Sequence, residues 1–554
     1  MKNTLVALMV ICFSATLQGG RYTSAVERIP DEYLVLLKTS VKRNELPTVA
    51  SSLSNQHGGR VIAVMQNVGN LFAVRLTESQ ARRLADNPLV EFVEEAAVVH
   101  LSSQQTFHPF ESLEDPNVNP RTPGLSKWHL DRIDQSSPAP VGVYNYCEKA
   151  ADVYAYIPDT GVWRDHVEFA NNPSRIKEGV AKDAEEGIVP ANEPCQGAPA
   201  INRNDDQPYG HGTAVASVLG GQYVGVAKNV NIVPLRNFAC DNALNESDPN
   251  PSTVRLAWTL SWIKGWRCSD PLLPPGHSCG SPAGPEDGNP FRGNNRYGDR
   301  SLNKPMLLSM SQYVNVTDPY VGAIESVINS LLQDDPADDW KGITVIASAN
   351  NQATSNNQTS PARMAYRNQP YFNTSISRRV ISVGGTGQKY IFTNHWELHD
   401  YRWACPMYRA GDVVGFSYGS PIYAAVDEPC WVDGRLYGSN YGRTVDIYAP
   451  AHNISTASLR GTNEYRNIYE ARSGTSFAAP IVAGLAARIL EQSPGLTPEQ
   501  VWTSIRDQAW QAPAGFYFDT VPINSGIPYV NANPAGNNLL AKRIGYASCT
   551  PEYP

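Results

Sequence analysis

From Asp152 onward the chain alternates between short apolar runs of strand character and longer segments with helical spacing, and this alternation constrains the fold more than any other feature. Val153 to Ile157, Val230 to Leu235, Met306 to Ser311, Ile343 to Ala347 and Val380 to Val383 read as strands. The segment entered at His211, Ser252 to Ile263 and Val321 to Leu332 read as helices. Strands separated by helices are joined by crossovers, and crossovers give parallel pairing with helices on both faces. The expectation is an α/β fold, a three-layer sandwich built on a mainly parallel sheet.

The first hundred residues follow a different rhythm. Lys2, the apolar stretch from Leu5 to Leu17, and Gly19 with Gly20 have the layout of a secretory signal over residues 1–20. No later segment sustains the roughly 18 apolar residues of a membrane span, so the expectation is a secreted, extracellular protein with no membrane partner. Tyr33 to Leu37, Arg60 to Met65, Asn70 to Leu76 and Val90 to Val99 read as strands, and Glu45 to His57 and Glu78 to Asp86 as helices. Their order, β-α-β-β-α-β, is that of a ferredoxin-like α+β unit. Residues 102–127, with Ser-Ser-Gln-Gln and several prolines, read as a linker exposed to processing.

A net charge of −8 offers no basic surface for nucleic acid or anionic lipid. Cys12 falls in the signal, and the eight others (Cys147, Cys195, Cys240, Cys268, Cys279, Cys405, Cys430 and Cys549) suit disulfides in an oxidising compartment. Cys268 with Cys279, and Cys405 with Cys430, are the nearest local pairings, and other connectivities remain open. Asn-x-Ser/Thr sequons stand at Asn245, Asn315, Asn357, Asn373 and Asn453. Stretches near 171–206, 241–303 and 387–435, rich in Pro, Gly, Asn or Asp, read as insertions.

Three segments carry nucleophile chemistry: Tyr-Ile-Pro-Asp159-Thr-Gly, Tyr-Gly-His211-Gly-Thr and Ser-Gly-Thr-Ser476-Phe-Ala-Ala-Pro. Ser476 opens an apolar segment rich in small residues that reads as a buried helix, which would set its Oγ beside free backbone N–H groups. His211 lies between glycines that allow another backbone to come close. Asp159 ends a strand, where a carboxylate reaches out of the carboxyl edge of the sheet. A serine, a histidine to take its proton and a carboxylate to orient that histidine form a nucleophilic triad.

In the order Asp159, His211, Ser476 these motifs resemble the subtilisin-like serine endopeptidases, in particular the proteinase K-like type. Trp128-His-Leu-Asp-Arg-Ile-Asp-Gln and Ser439-Asn-Tyr-Gly-Arg-Thr-Val-Asp-Ile-Tyr-Ala-Pro450 resemble further family segments. The resemblance implies an inhibitor-type propeptide at 21–103, acting on the chain's own cleft, and a catalytic domain at 104–554. It implies polypeptide substrates, an acyl-enzyme intermediate, and Asn350 as the amide that binds the developing oxyanion, with adjacent Asn351 as the one-residue alternative. Met310-Ser311-Gln312-Tyr313 stands where the family has Met-Ser-Leu-Gly-Gly, so Ser311, Gln312 and Tyr313 would border the substrate, the last two altering its pocket. The family requires no cofactor and is compatible with a structural calcium, for which no EF-hand-type spacing is present.

Other readings compete with this one. Gly415-Phe-Ser417-Tyr-Gly419 fits an esterase nucleophile elbow, but that elbow needs a helix directly after the serine, and Pro421 opposes one. His395 and His399 are spaced as in a zinc helix without the required glutamate. Asp-Thr-Gly occurs in aspartic proteases, which need a second such carboxylate, and none is present. A subtilisin-like scaffold that has lost catalysis and serves as a secreted binding protein is the alternative from another class, motivated by Pro158, Ala349 and the altered Ser-Gln-Tyr segment.

Overall fold

A computed structural model describes residues 20–102, 128–134, most of 144–183, 187–190, 210–238, 252–264, 304–352 apart from 317–321 and 336–339, 359–365, 380–387, 413–417, 420–423, 434–435, 439–440, 444–458 apart from 452–453, 468–511 and 539–540. Residues 1–19 of the signal segment, residues 103–127 of the linker and all nine cysteines lie outside these residues.

The N-terminal unit comprises β1 (Arg21–Thr23), β2 (Arg28–Leu37), α1 (Leu46–Gln56), β3 (Arg60–Met65), β4 (Leu71–Arg75), α2 (Glu78–Ala85) and β5 (Val90–Ala97). Its sheet runs β1-β5-β2-β4-β3. Pro47 sits in the first turn of α1, where its missing N–H costs nothing. Thr77 and Gln80 form a capping box on α2, with Thr77 N donating to Gln80 Oε1 at 2.7 Å.

Alternation along β2 explains why its second half, Tyr33 to Leu37, is apolar on every residue. Tyr33, Val35 and Leu37 pack with Leu53 and Leu84 of the unit's own helices. Leu34, on the opposite face, joins a cluster that includes Leu260 and Ile328 of the main body. The sheet is therefore buried on both sides.

A two-residue strand, β6 (His100–Leu101), leaves this unit and crosses to the main body. There follow α3 (Trp128–Asp134), β7 (Tyr154–Asp159), α4 (Val167–Ala170), β8 (Val180–Asp183), β9 (Gly187–Pro190), α5 (His211–Gly220), β10 (Asn231–Arg236) and α6 (Thr253–Lys264). Next come β11 (Met306–Met310), β12 (Gln312–Asn315), α7 (Ala323–Leu332), β13 (Thr344–Ser348), β14 (Thr359–Ser360) and β15 (Ile381–Gly387). The remainder is β16 (Val413–Ser417), β17 (Ser420–Tyr423), β18 (Gly434–Arg435), β19 (Ile447–Pro450), β20 (Ile454–Ser458), β21 (Ile468–Arg472), α8 (Thr475–Gln492), α9 (Pro498–Gln508), β22 (Trp510–Gln511) and β23 (Leu539–Leu540).

The main sheet has the order β22-β23-β19-β15-β13-β11-β7-β10-β8-β9, with β18 on β15. Pairing is parallel from β23 through β8. Helices α5 and α8 share one core with the sheet, and α6 and α7 share the other, which completes a layered α/β architecture. From β7 the chain crosses to β10 on one side and then returns to β11 on the other. The carboxyl end of β7 is thus a topological switch point, where open α/β sheets leave a crevice.

Of the two overlapping readings near 241–303, the helix at Ser252 to Ile263 stands: α6 lies inside the stretch and is buried along its whole length, from Thr253 to Lys264, so the stretch is not all insertion. Ser417 ends β16, whose antiparallel partner β17 begins at Ser420, so no helix follows it and the esterase elbow is absent. The 171–206 stretch includes the β8–β9 hairpin at the sheet edge.

Half-buried Glu94 on β5 caps α7 across the boundary between the two units, its Oε2 accepting from Ala323 N at 2.9 Å. Burial pushes its carboxyl up from 4.5 to about 7; nearby Glu325 pushes the same way, while the Ala323 N–H, Arg363 and Arg21 oppose it. A carboxyl that holds its proton more tightly when folded favours the folded form most below pH 4.5, and that advantage drains away as pH rises towards 7. The melting temperature of the intact chain is therefore expected to fall across this window, and Glu94→Gln to flatten that part of the slope, as read by calorimetry at a series of pH values.

Candidate functional site

Asp159 is the last residue of β7 and is fully buried at the switch point. His211 Nδ1 donates to its Oδ1 at 2.9 Å and lies 3.0 Å from its Oδ2. Thr160 N adds a bond to Oδ1 at 2.8 Å. A carboxylate on Nδ1 selects the tautomer in which the other ring nitrogen carries a lone pair. That nitrogen, Nε2, is buried and has no hydrogen-bond partner among the described residues. The ring lies against Phe477, centroids 5.8 Å apart.

The start of α5 is brought this close by a missing side chain. A Cβ on Gly212 would lie 2.1 Å from Gly161 O and 3.2 Å from Asp159 Cβ. Gly212 N also donates to Thr160 Oγ1 at 2.9 Å, tying the helix to the turn after Asp159.

Ser476 is the second residue of α8 and is fully buried. In a regular helix its carbonyl would accept from the N–H four residues on, but that residue is Pro480. Ser311 Oγ takes the vacant acceptor, donating to Ser476 O at 2.8 Å. Ser476 Oγ in turn donates to Ser311 O at 3.2 Å. The serine hydroxyl therefore rests on the β11–β12 junction rather than on His211 Nε2, which differs from the direct Ser–His bond that the triad reading implies.

The β6 strand occupies the crevice. It pairs antiparallel with β12, Leu101 against Gln312 and His100 against Tyr313. Ser102 continues the ladder, its N donating to Ser311 O at 3.0 Å. The Ser102 carbonyl accepts from Ser476 N at 3.2 Å and from Asn351 Nδ2. Two N–H donors thus converge on one carbonyl oxygen, with one of them at a helix N-terminus.

The second donor is Asn351, which corrects the expectation for Asn350. Asn350 has a φ of 78°, and its Oδ1 accepts from Asn351 N at 2.6 Å. Its own amide nitrogen is buried and finds no partner among the described residues. Asn351 Oδ1 accepts from Thr475 N at 2.9 Å, which aims its Nδ2 at Ser102. Asn tolerates the left-handed region better than most residues, so Asn350 makes the turn and Asn351 makes the contact.

Gln312 departs from expectation in a similar way. Its backbone pairs with Leu101, but its side chain points inward: Nε2 donates to Pro158 O at 3.2 Å and Oε1 accepts from Asn237 Nδ2 at 2.9 Å. Successive strand residues face opposite ways, so Gln312 braces the end of β7 instead of lining the crevice. Tyr313 does line it, stacked on His100 with centroids 5.2 Å apart and planes at 25°. Burial is the main cause that pushes the Tyr313 phenol up.

Among the sequons only Asn315 is described, half-buried on β12 opposite Thr359; Asn245, Asn357, Asn373 and Asn453 lie outside the described residues, as do His395 and His399. Among the described residues no cluster of three or more His, Cys, Asp or Glu side chains is grouped to hold a metal ion, and no helix is long and apolar enough to cross a membrane. Sequence reasoning overlooked Asn440, whose N donates to Asn350 O at 2.8 Å and whose Oδ1 accepts from Gln352 N at 2.9 Å. It lies in the Ser439–Pro450 segment already marked by resemblance.

Comparison with known proteins gives a consistent grouping. The sequence model of the subtilase family, Peptidase S8, matches residues 152–546. The chain is 26% identical over 448 residues to the extracellular serine proteinase of Thermus sp. (strain Rt41A), covering 81% of this chain and 73% of that one. It is 24% identical over 466 residues to proteinase R of Parengyodontium album, covering 84% and 80%. The crystal structure of fervidolysin from Fervidobacterium pennivorans, a keratinolytic enzyme related to subtilisin, shares the fold at 16% identity and a TM-score of 0.53, covering 95% of this chain and 62% of that one.

Gly212→Ala should destabilise the chain by about 1–3 kcal/mol, because the added methyl meets backbone that cannot step aside. Gly495→Ala, where nothing lies within 4 Å of the added Cβ, is the control. A lower melting temperature for the first and an unchanged one for the second is the expected outcome.

Proposed function

The chain belongs to the subtilase family, and on that footing we propose that it is a secreted serine endopeptidase, made as a zymogen that cuts itself after Ser102. The observation that carries this reading is the Ser102 carbonyl, held between Ser476 N and Asn351 Nδ2 on a strand paired with β12. Such a carbonyl is placed like that of a bond about to be cut or just cut.

In the proposed mechanism, Ser476 Oγ turns from Ser311 O towards His211 Nε2 and gives up its proton there as it attacks the substrate carbonyl. Asp159 keeps Nδ1 protonated and stabilises the imidazolium. The carbonyl oxygen becomes an oxyanion between Ser476 N and Asn351 Nδ2. His211 then returns the proton to the leaving amine, which leaves an acyl group on Ser476. Water repeats the sequence, with His211 as base, to free the enzyme. No step needs a cofactor.

The ferredoxin-like N-terminal unit is in this view the inhibitor-type propeptide. After cleavage β6 keeps its ladder to β12, and the unit keeps its apolar face on α6 and α7, so the product stays in the cleft as inhibitor. The propeptide then ends at Ser102 rather than at residue 103. A catalytically impaired binding protein is the rival, favoured by the Ser476 hydroxyl resting on Ser311 O. Fluorophosphonate labelling of wild-type protein that disappears in Ser476→Ala would exclude it.

Two further outcomes are expected. Ser476→Ala should remain a single precursor on a gel, whereas wild-type protein should yield a new N-terminus at residue 103; a variant that still matures in isolation overturns self-cleavage. Asn351→Ala should lower kcat on a peptide substrate by about 10²–10³, the effect known for the corresponding donor in subtilisin. Asn350→Gly, which relieves the positive φ but gives up the Oδ1 bond to Asn351 N, should lose far less than Asn351→Ala in the same assay.

A further inference from the structure

Along β6 the alternation of side chains sends Ser102 and His100 towards separate receptors in the body of the protein. Ser102 Oγ accepts from Ser348 Oγ at 2.7 Å, and both residues are fully buried. Ser348 is the last residue of β13, directly before the Ala349–Asn351 turn that delivers the second donor to the Ser102 carbonyl. With alanine in place of Ser102, the Ser348 hydroxyl would be left buried without this bond, an asymmetry that makes such sites reject apolar analogues. Two residues earlier, the His100 ring lies flat on Tyr313. Aromatic pairs of this kind are worth more than the area they bury.

Tyr313 and Ser348 both belong to this chain's body, so their contacts remain available after the N-terminal unit has gone. The His100 ring has another partner, Glu27 Oε2, on its own unit. That bond could by itself orient the ring in the precursor. It is absent from a free peptide, which makes free peptides the proper test of what Tyr313 contributes.

We propose that the site selects polypeptides with a small hydroxyl residue immediately before the cleaved bond, read by Ser348, and a planar ring two residues earlier, read by Tyr313. This rests on the peptidase reading above and adds the class of sequence that the site accepts. Leu101 and Gln312 contribute main-chain pairing between these two positions, and Gln312 keeps its side chain for the β7 end. The two side-chain receptors, Ser348 and Tyr313, thus serve alternate positions of the paired strand.

The test uses mature enzyme and peptides of the form Xaa-Leu-Yaa-Ser-Gln-Gln, with His, Tyr, Phe or Ala at Xaa and Ser, Ala or Val at Yaa. Cleavage after Yaa is followed as kcat/KM. Wild-type enzyme should favour Ser over Ala at Yaa by about tenfold, and a ring over Ala at Xaa by about two- to tenfold. Ser348→Ala should collapse the Ser/Ala ratio and leave the ring ratio standing. Tyr313→Leu should collapse the ring ratio and leave the Ser/Ala ratio, while Tyr313→Phe should keep both, which separates loss of the ring from loss of folding. Ratios that stay the same across the variants, or a wild-type enzyme indifferent at both positions, would overturn the proposal while leaving the peptidase reading intact. Failure to cut any peptide, together with failure of Ser476 to take a fluorophosphonate, would overturn both.

Discussion

The reciprocal bonds between Ser311 and Ser476 hold the candidate site together, and the first of them, Ser311 Oγ to Ser476 O, is made possible by a proline. Pro480 cannot donate to the carbonyl four residues before it, so α8 begins with an acceptor that the helix itself does not satisfy. Ser311 Oγ satisfies it at 2.8 Å, and the Ser311 carbonyl receives both Ser476 Oγ and Ser102 N. One backbone position thus fixes the serine helix, the start of β12 and the visiting strand relative to one another. A proline inside a helix usually reads as a defect; here the bond it omits is the one that joins two distant parts of the chain.

The sheet supplies the rest of the geometry. Asp159, Ser311 and Ser348 stand at or just beyond the carboxyl ends of β7, β11 and β13, and His211 opens the helix that follows the switch. Each side chain is carried by an element buried on both sides, so its position is set by core packing rather than by loop conformation. Asn237 and Gln312 close the floor beneath Asp159 with a pair of amides, and Asn440 anchors the 350–352 turn from below.

Much of this was legible in the sequence, and the gaps have physical causes. The sequence pattern located β7, β10, β11, β13, α6 and α7 to within a few residues, the strands and α6 as apolar runs buried on all sides and α7 by its amphipathic spacing. The motif residues Asp159, His211 and Ser476 were visible because glycines crowd around them, and Gly212 shows why: no Cβ fits there. Sequence favoured Asn350 over Asn351 because two adjacent asparagines look alike in sequence, whereas backbone conformation, a φ of 78° at the first, turns the second towards the Ser102 carbonyl. Gln312 was placed in the crevice because its parity on β12 depends on where that strand starts. The strand β6 was not anticipated at all, since two residues have no period of their own and pair only with a partner some two hundred residues away.

That two-residue strand has a meaning for solubility as well. In the sheet β14-β12-β6, β12 has β14 on one side and β6 on the other. Without β6 the strand becomes an open edge with unpaired N–H and C=O groups, the feature through which β proteins stick to one another. An edge that must stay open to accept extended chains cannot be blunted by a charge or a bulge without losing that ability. In this structure His100 and Leu101 keep that edge paired; if the proposed cleavage after Ser102 releases them, they act as a removable guard that leaves the edge bare only once the fold that carries it is complete.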